Sequence, residues 1–111
     1  YCDIETVNQN ISKNFKEHNI KLIKGDVEKT LLNNQNLPDK ISLLRLDTDF
    51  YDSTKVELEI LYPKLSKGGY LIIDDYGHFN GCKKAVDEYF INSKMVLHYS
   101  DYSCRYFKKE E

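Results

Sequence analysis

The sequence predicts a single α/β domain built on a mostly parallel sheet, and three observations carry that reading. Two short apolar runs, Leu43-Leu44-Arg45-Leu46 and Leu71-Ile72-Ile73, stop abruptly on acidic residues. Such runs suit strands buried on both faces, the kind found in parallel sheets. Segments with helical spacing alternate with the strands, which implies right-handed crossovers. At 111 residues the chain, 1–111, is one domain at most.

Within residues 3–18, Ile4, Val7, Ile11 and Phe15 recur at helical spacing, so this segment is an amphipathic helix that Asn19 ends. Residues 20–24 (IKLIK) form a strand closed by Gly25 and Asp26, and 27–34 form a short helix. The Asn-rich stretch 33–36 and Leu37-Pro38-Asp39 are loop. Residues 41–46 are the first central strand. Asp52 and Ser53 cap a helix that runs to Leu65, with Glu57 in its opening turns and Val56, Ile60 and Leu61 facing inward. Pro63 kinks or ends that helix. Gly68 and Gly69 turn the chain into the second central strand, 70–73, and 77–81 is a loop. Residues 82–91 form a helix that buries Ala85, Val86, Tyr89 and Phe90. Residues 95–99 and 103–108 pair antiparallel around Ser100-Asp101-Tyr102. The order is α-β-(α)-β-α-β-α-β-β.

Composition narrows the function classes. The hydrophobic share of 41% with 13% aromatics is that of a globular protein. Sixteen basic and 18 acidic residues give a net charge of −2, with no basic field for nucleic acid. No apolar run approaches the ~20 residues of a membrane helix, and no signal peptide is visible. Cys2, Cys82 and Cys104 fit neither a disulfide framework nor a zinc site and read as reduced thiols of a cytoplasmic protein.

The chemistry concentrates at the acidic strand ends. In open α/β sheets ligands bind outside the carboxyl ends of the strands. If the two central strands are neighbours, about 4.8 Å apart, then Asp47, Asp49, Asp74 and Asp75 crowd together at one sheet edge. Two bare carboxylates about 4 Å apart repel by roughly 4 kcal/mol at an effective dielectric of about 20. Four of them need a cation, a proton or wide spacing, and a divalent metal is the sharpest of these readings. Arg45, a charge inside a strand, either pairs with one of the aspartates or emerges at a sheet edge.

The run LLRLDTDFYDSTKVELEILYPKLSKGGYLIIDDYGHFNGCKKAVDEYF resembles the macrocin O-methyltransferase family, which uses S-adenosylmethionine and a magnesium-type ion to methylate hydroxyls, often of sugars in natural products. The family pattern L-R-L-D-x-D-x-Y-x-S-T, then L-Y-P-K-L-x-x-G-G, D-D-Y-G and G-C-x-x-A-V is present from Leu44 to Val86. The likeness extends more loosely from Gly25 to Lys109. It implies that Asp47, Asp74 and Asp75 bind the metal and that Asp49 is the general base for the acceptor hydroxyl. It also sets Asp26 near the cofactor's adenine, a role that competes with that of a turn aspartate. Hard oxygen ligands suit Mg²⁺ first and Mn²⁺ second. Where the family often has Gly between its first two aspartates, Thr48 is expected to be tolerated.

The resemblance further implies a Rossmann-like class I methyltransferase sheet of order 3-2-1-4-5-7-6, here incomplete, with strands 3 to 7 present and 1 and 2 missing. The chain, which starts on Tyr1, is therefore expected to be the C-terminal part of a longer enzyme. Alone it should expose two hydrophobic strand edges, hold metal weakly and bind S-adenosylmethionine hardly at all. The expected partners are a small-molecule hydroxyl acceptor and, for the full-length enzyme, further copies of itself; nucleic acid and membrane are not expected. His78 reads as a solvent-facing loop residue that could instead reach the substrate, and Tyr51 and Tyr76 either line the acceptor pocket or pack over the strand ends. Asp47-Thr48-Asp49 also resembles the DxD of nucleotide-sugar glycosyltransferases and of haloacid-dehalogenase phosphatases, although Tyr51 stands where the phosphatases want Thr or Val. An inactive, truncated remnant is the non-enzymatic alternative.

Overall fold

A computed structural model describes residues 3–14, 20–93 and 95–110. Four strands, β1 (Ile41–Leu46), β2 (Leu65–Ile73), β3 (His98–Tyr99) and β4 (Arg105–Lys108), form one sheet in the order β1-β2-β4-β3. β1 and β2 run parallel, because α3 (Tyr51–Leu61) carries the chain back across the sheet between them. After β2, α4 (Asn80–Tyr89) leads to the antiparallel β3–β4 pair, and β4 docks antiparallel on β2. The central strands are thus neighbours, the condition under which their acidic ends come together.

Their register fixes where the acidic ends fall. Leu44 faces Leu71 and Leu46 faces Ile73, and the Asp74 amide donates to the Leu46 carbonyl at 2.9 Å. Both strands therefore stop at one level. Leu44, Leu46, Leu71, Ile73 and Phe107 point to the face covered by α3 and α4, where they meet Leu58, Cys82 and Val86. The opposite face is open among the described residues, with Leu43 60% exposed. Burial of the strands on both faces is therefore not realised: only one face has helices packed on it, and the period-2 alternation of a half-covered sheet results.

Several expected elements differ, each for a local reason. The strand expected at 20–24 is not formed. Among the described residues no neighbouring strand supplies partners, Ile20 and Ile23 stay exposed, and Lys21 Nζ donates to the Gln35 carbonyl at 2.7 Å. The helix expected at 27–34 is one turn, α2 (Val27–Thr30), followed by a 3₁₀ turn at Asn34–Asn36. The first helix, α1 (Ile4–Asn14), starts on Asp3, whose Oδ1 accepts from the Thr6 amide at 2.8 Å; Phe15 and the predicted end at His18 and Asn19 lie outside the described residues.

Asp52 and Ser53 do not cap α3. Phe50 holds the N-cap position, and Asp52 and Ser53 lie in the first turn. The buried stripe of α3 is Ser53, Thr54, Glu57 and Leu58, whereas Val56, Ile60 and Leu61 are only half-buried. Pro63 does end the helix, in a 3₁₀ turn at Tyr62–Lys64. Gly68 and Gly69 form an irregularity inside β2, not a turn before it. Ile41 faces Leu65 while Leu43 faces Tyr70, so the intervening β2 residues bulge. Gly68 takes φ +88, and a Cβ on Gly69 would meet the Ser42 carbonyl at 2.7 Å. In α4, Cys82, Ala85 and Val86 are buried and Phe90 packs against Tyr62 and Phe107, but Tyr89 is exposed. Of the two open strand edges expected, β1 is the one observed: it pairs on one side only among the described residues. No helix there is long and apolar enough to cross a membrane.

Candidate functional site

The level ending of β1 and β2 sets Asp47 and the Asp74–Asp75 pair side by side. Carboxylate oxygens of Asp47, Asp49 and Asp75 lie within 4.8 Å of one another. Asp74 is not part of that group. Residues two apart on a strand share a face, so Arg45 and Asp47 share one, and Asp74 stands two residues beyond Ile72, the partner of Arg45. The Arg45 guanidinium accordingly bridges them, with Nη2 3.4 Å from Asp47 Oδ2 and 3.3 Å from Asp74 Oδ1. Asp74 first, then Asp47, raise the Arg45 pKa.

Asp49 has an unusual backbone. Its φ is +67, and the Phe50 amide donates to the Thr48 carbonyl at 2.7 Å, closing a tight three-residue turn around it. A non-glycine residue in this region costs about 1–3 kcal/mol and persists only where its surroundings hold it. Here α3 holds it. Ser53 Oγ donates to the Thr48 carbonyl at 3.2 Å and the Phe50 carbonyl at 3.1 Å, and the Thr54 amide donates to the Phe50 carbonyl at 3.1 Å. The Thr48 hydroxyl donates to Glu57 Oε1. Burial pushes the Glu57 carboxyl above the usual range, the Thr48 hydrogen bond opposes that shift, and the charge of Asp47 adds to it.

Asp75 is the most perturbed of the group. Burial, then Asp49 and Asp47, push its carboxyl up to about 7. Its Oδ2 is buried and accepts no hydrogen bond among the described residues. A carboxylate crowded by two others needs a shared proton or a cation between them. A hard divalent ion fits this donor set, because three clustered carboxylates and an orphaned oxygen supply the oxygen ligands that Mg²⁺ or Mn²⁺ takes.

The remaining candidates are engaged elsewhere. Asp26 Oδ1 accepts from the Glu28 amide at 3.1 Å and caps α2, outside the carboxylate group. The exposed His78 ring packs edge-on against Phe79 and Tyr102 at 4.6 and 5.8 Å. The Tyr51 hydroxyl donates to Glu88 at 2.5 Å and the Tyr76 hydroxyl to Asp87 at 2.7 Å, so both brace α4. Glu57 is the site residue that an apolar-stripe reading of α3 overlooks. The signal was the polar face Ser53, Thr54 and Glu57, spaced three and four apart and turned toward the strand ends.

A family model described as macrocin O-methyltransferase (TylF) matches residues 2–109. Demethyldecarbamoylnovobiocin O-methyltransferase of Streptomyces niveus is 55% identical over 51 residues, which are 46% of this chain and 20% of that enzyme. Mycinamicin III 3''-O-methyltransferase of Micromonospora griseorubida is 45% identical over 51 residues, 46% of this chain and 20% of that one. Among solved structures, the O-methyltransferase NovP superposes with TM-score 0.88 at 33% identity, over 97% of this chain and 45% of NovP. CalS11, a TDP-rhamnose 3'-O-methyltransferase of calicheamicin biosynthesis, superposes with TM-score 0.67 at 25% identity, over 78% of this chain and 39% of CalS11. The chain thus spans less than half the length of the relatives it matches.

Proposed function

Because the chain belongs to the macrocin O-methyltransferase (TylF) family, we propose that it carries the metal-holding and proton-abstracting part of an S-adenosylmethionine-dependent enzyme that methylates a hydroxyl. The observation that carries this reading is the convergence of Asp47, Asp49 and Asp75 at the ends of β1 and β2. It favours methyl transfer over the two DxD alternatives, because the second acidic strand end, Asp74-Asp75, is used as well as the first. The proposed acceptor is a sugar hydroxyl or that of another small natural product, in line with the rhamnosyl, TDP-rhamnose and mycinamicin substrates named for the relatives.

In this mechanism Asp47, Asp74 and Asp75 would hold the metal, Asp74 giving up its bond to Arg45 to do so. A bound Mg²⁺ would supply Lewis-acid polarisation of the acceptor hydroxyl. Asp49 would take the proton of the acceptor hydroxyl as general base, and bound S-adenosylmethionine would supply the methyl group. The tight turn at Asp49 serves this role by fixing the base before substrate arrives, so no loop ordering is left to the reaction step. Asp26 is assigned to the adenine side of the cofactor; its Oδ1 is taken by the cap of α2, so that contact falls to Oδ2.

The sheet order supports a class I assignment in which β1, β2, β4 and β3 are strands 4, 5, 7 and 6. The segment 20–24 then corresponds to strand 3, which has no partner here. On this reading residues 1–111 are one partial domain, and the open side of β1 is where strand 1 belongs. Tight S-adenosylmethionine binding by residues 1–111 alone, measured by titration calorimetry, would contradict it. The activity is tested by methyl transfer from labelled S-adenosylmethionine in the protein expressed from its native gene, with TDP-rhamnose and simple rhamnosides as acceptors. Asp47→Ala and Asp49→Asn should each lower the rate, the latter by about 10²- to 10⁴-fold for a lost general base. A rate unchanged by chelation of the metal would refute the mechanism.

A further inference from the structure

We infer that Glu57 is a positioning residue, which through the Thr48 hydroxyl locks the loop carrying Asp47 and Asp49 into the geometry that faces Asp75. The inference rests on the metal reading above. Glu57 is only 5% exposed, and among the described residues it makes no ion pair. A carboxyl buried without a cation is costly, and α3 would pack more favourably with an apolar residue there. What Glu57 provides is an acceptor for Thr48, the residue between the two aspartates.

The neighbouring turn of α3 acts on the same point. Ser53, four residues before Glu57 and on the same helical face, donates to the Thr48 carbonyl at 3.2 Å. Thr48 is thus held by its side chain and by its main chain from one rigid helix. The strained residue, Asp49, follows directly, with its φ at +67 and its turn closed from Thr48 to Phe50. Release of the Thr48 hydroxyl removes one of the two grips and lets Asp49 relax toward negative φ. Its carboxylate then leaves the group, and the ligand Asp47, on the other side of Thr48, loses its fixed approach to Asp75.

The test is a double-mutant cycle on the natively expressed protein, read by Mn²⁺ titration and by amide hydrogen exchange. Thr48→Val and Glu57→Leu should each weaken Mn²⁺ binding by about 10- to 100-fold, as loss of a partner behind a metal ligand does. The double variant should be no weaker than the worse single one, because both changes cut one link. Glu57→Gln, whose amide oxygen still accepts, should stay within about threefold of the native affinity. Exchange at the Phe50 and Thr54 amides should quicken about tenfold in both single variants, with the Lys83 amide of α4 unchanged. Loss of melting temperature with native Mn²⁺ affinity and native exchange would reduce Glu57 to a structural group and overturn the inference. So would a Glu57→Leu effect that Thr48→Val fails to reproduce. If Glu57→Leu does not fold, Thr48→Val alone carries both readouts. If the native protein takes up no Mn²⁺, the metal reading fails, and the exchange data still decide the clamp.

Discussion

Replacement of Asp75 by Asn removes one charge from the crowded strand ends while keeping the side chain's shape. With oxygens of Asp47, Asp49 and Asp75 within 4.8 Å of one another, each charged pair costs roughly 3 kcal/mol at an effective dielectric of about 20. Burial first, and this repulsion after it, raise Asp75 from 3.8 to about 7. About three units at about 1.4 kcal/mol each would amount to about 4 kcal/mol; half-exposed Asp47 lets solvent screen the group, and about 2 kcal/mol is the figure to expect. Because the folded pKa lies above the unfolded one, the native state holds the extra proton between them. The stabilisation is complete below the unfolded value and is lost as pH rises through about 7. In urea denaturation with chelator present, the native protein should therefore lose about 1–2 kcal/mol more than Asp75→Asn between about pH 5 and about pH 8. Added Mg²⁺ should restore the loss in the native protein and not in the variant. Parallel pH profiles for the two proteins would refute the reasoning, since the cluster would then carry no shared charge penalty.

Other parts of the molecule answer to simpler assays. Arg45→Met frees Asp74 and removes a positive charge 3.4 Å from Asp47; Mn²⁺ titration at low salt should show binding tighter by about tenfold, with the gain shrinking as salt is added. Leu71→Ala opens a cavity in the middle of the sheet, where Leu71 is fully buried between β1 and β4, and should cost about 2–5 kcal/mol in denaturant titration. Gly77→Ala would drive a methyl to 2.1 Å from the Tyr102 carbonyl, across the 2.9 Å bond from the Gly77 amide to Ser103. The turn and the loop must then part, which should lower stability by about 1–3 kcal/mol in thermal unfolding.

What the residues revealed and what they hid divide along the range of the forces involved. β1 is legible to the residue from Ile41 and the run Leu43–Leu46, which stops on Asp47, while the pairing of the two acidic strand ends rests on the strand order that the family resemblance implies. Arg45 was legible as a charge in need of a partner, and it found two, Asp47 and Asp74. The separation of Asp74 from the other three was hidden because it depends on inter-strand register, which short strands do not declare. The strand at 20–24 was overread: its alternation is strand-like, but a strand exists only with a neighbour to bond. On α3 apolar periodicity points Val56, Ile60 and Leu61 inward, whereas the helix buries Ser53, Thr54, Glu57 and Leu58, the first three toward the Asp47–Phe50 loop. Local propensity cannot foresee that demand, because it comes from the site.

The buried carboxyl-terminal strand ends, Leu46 and Ile73, are each one peptide bond from an acidic site residue, and the Asp74 amide is tied to Leu46. Site geometry is therefore indexed to core volume. An exchange as mild as Ile73→Val should cost about 0.5–1.5 kcal/mol, one residue away from the acidic pair. In this chain core and site cannot drift independently: a change in one must be answered in the other, and tolerance to apolar substitution should fall steeply over the last residues of β1 and β2 while remaining broad at Leu43 and Tyr70 on the open face.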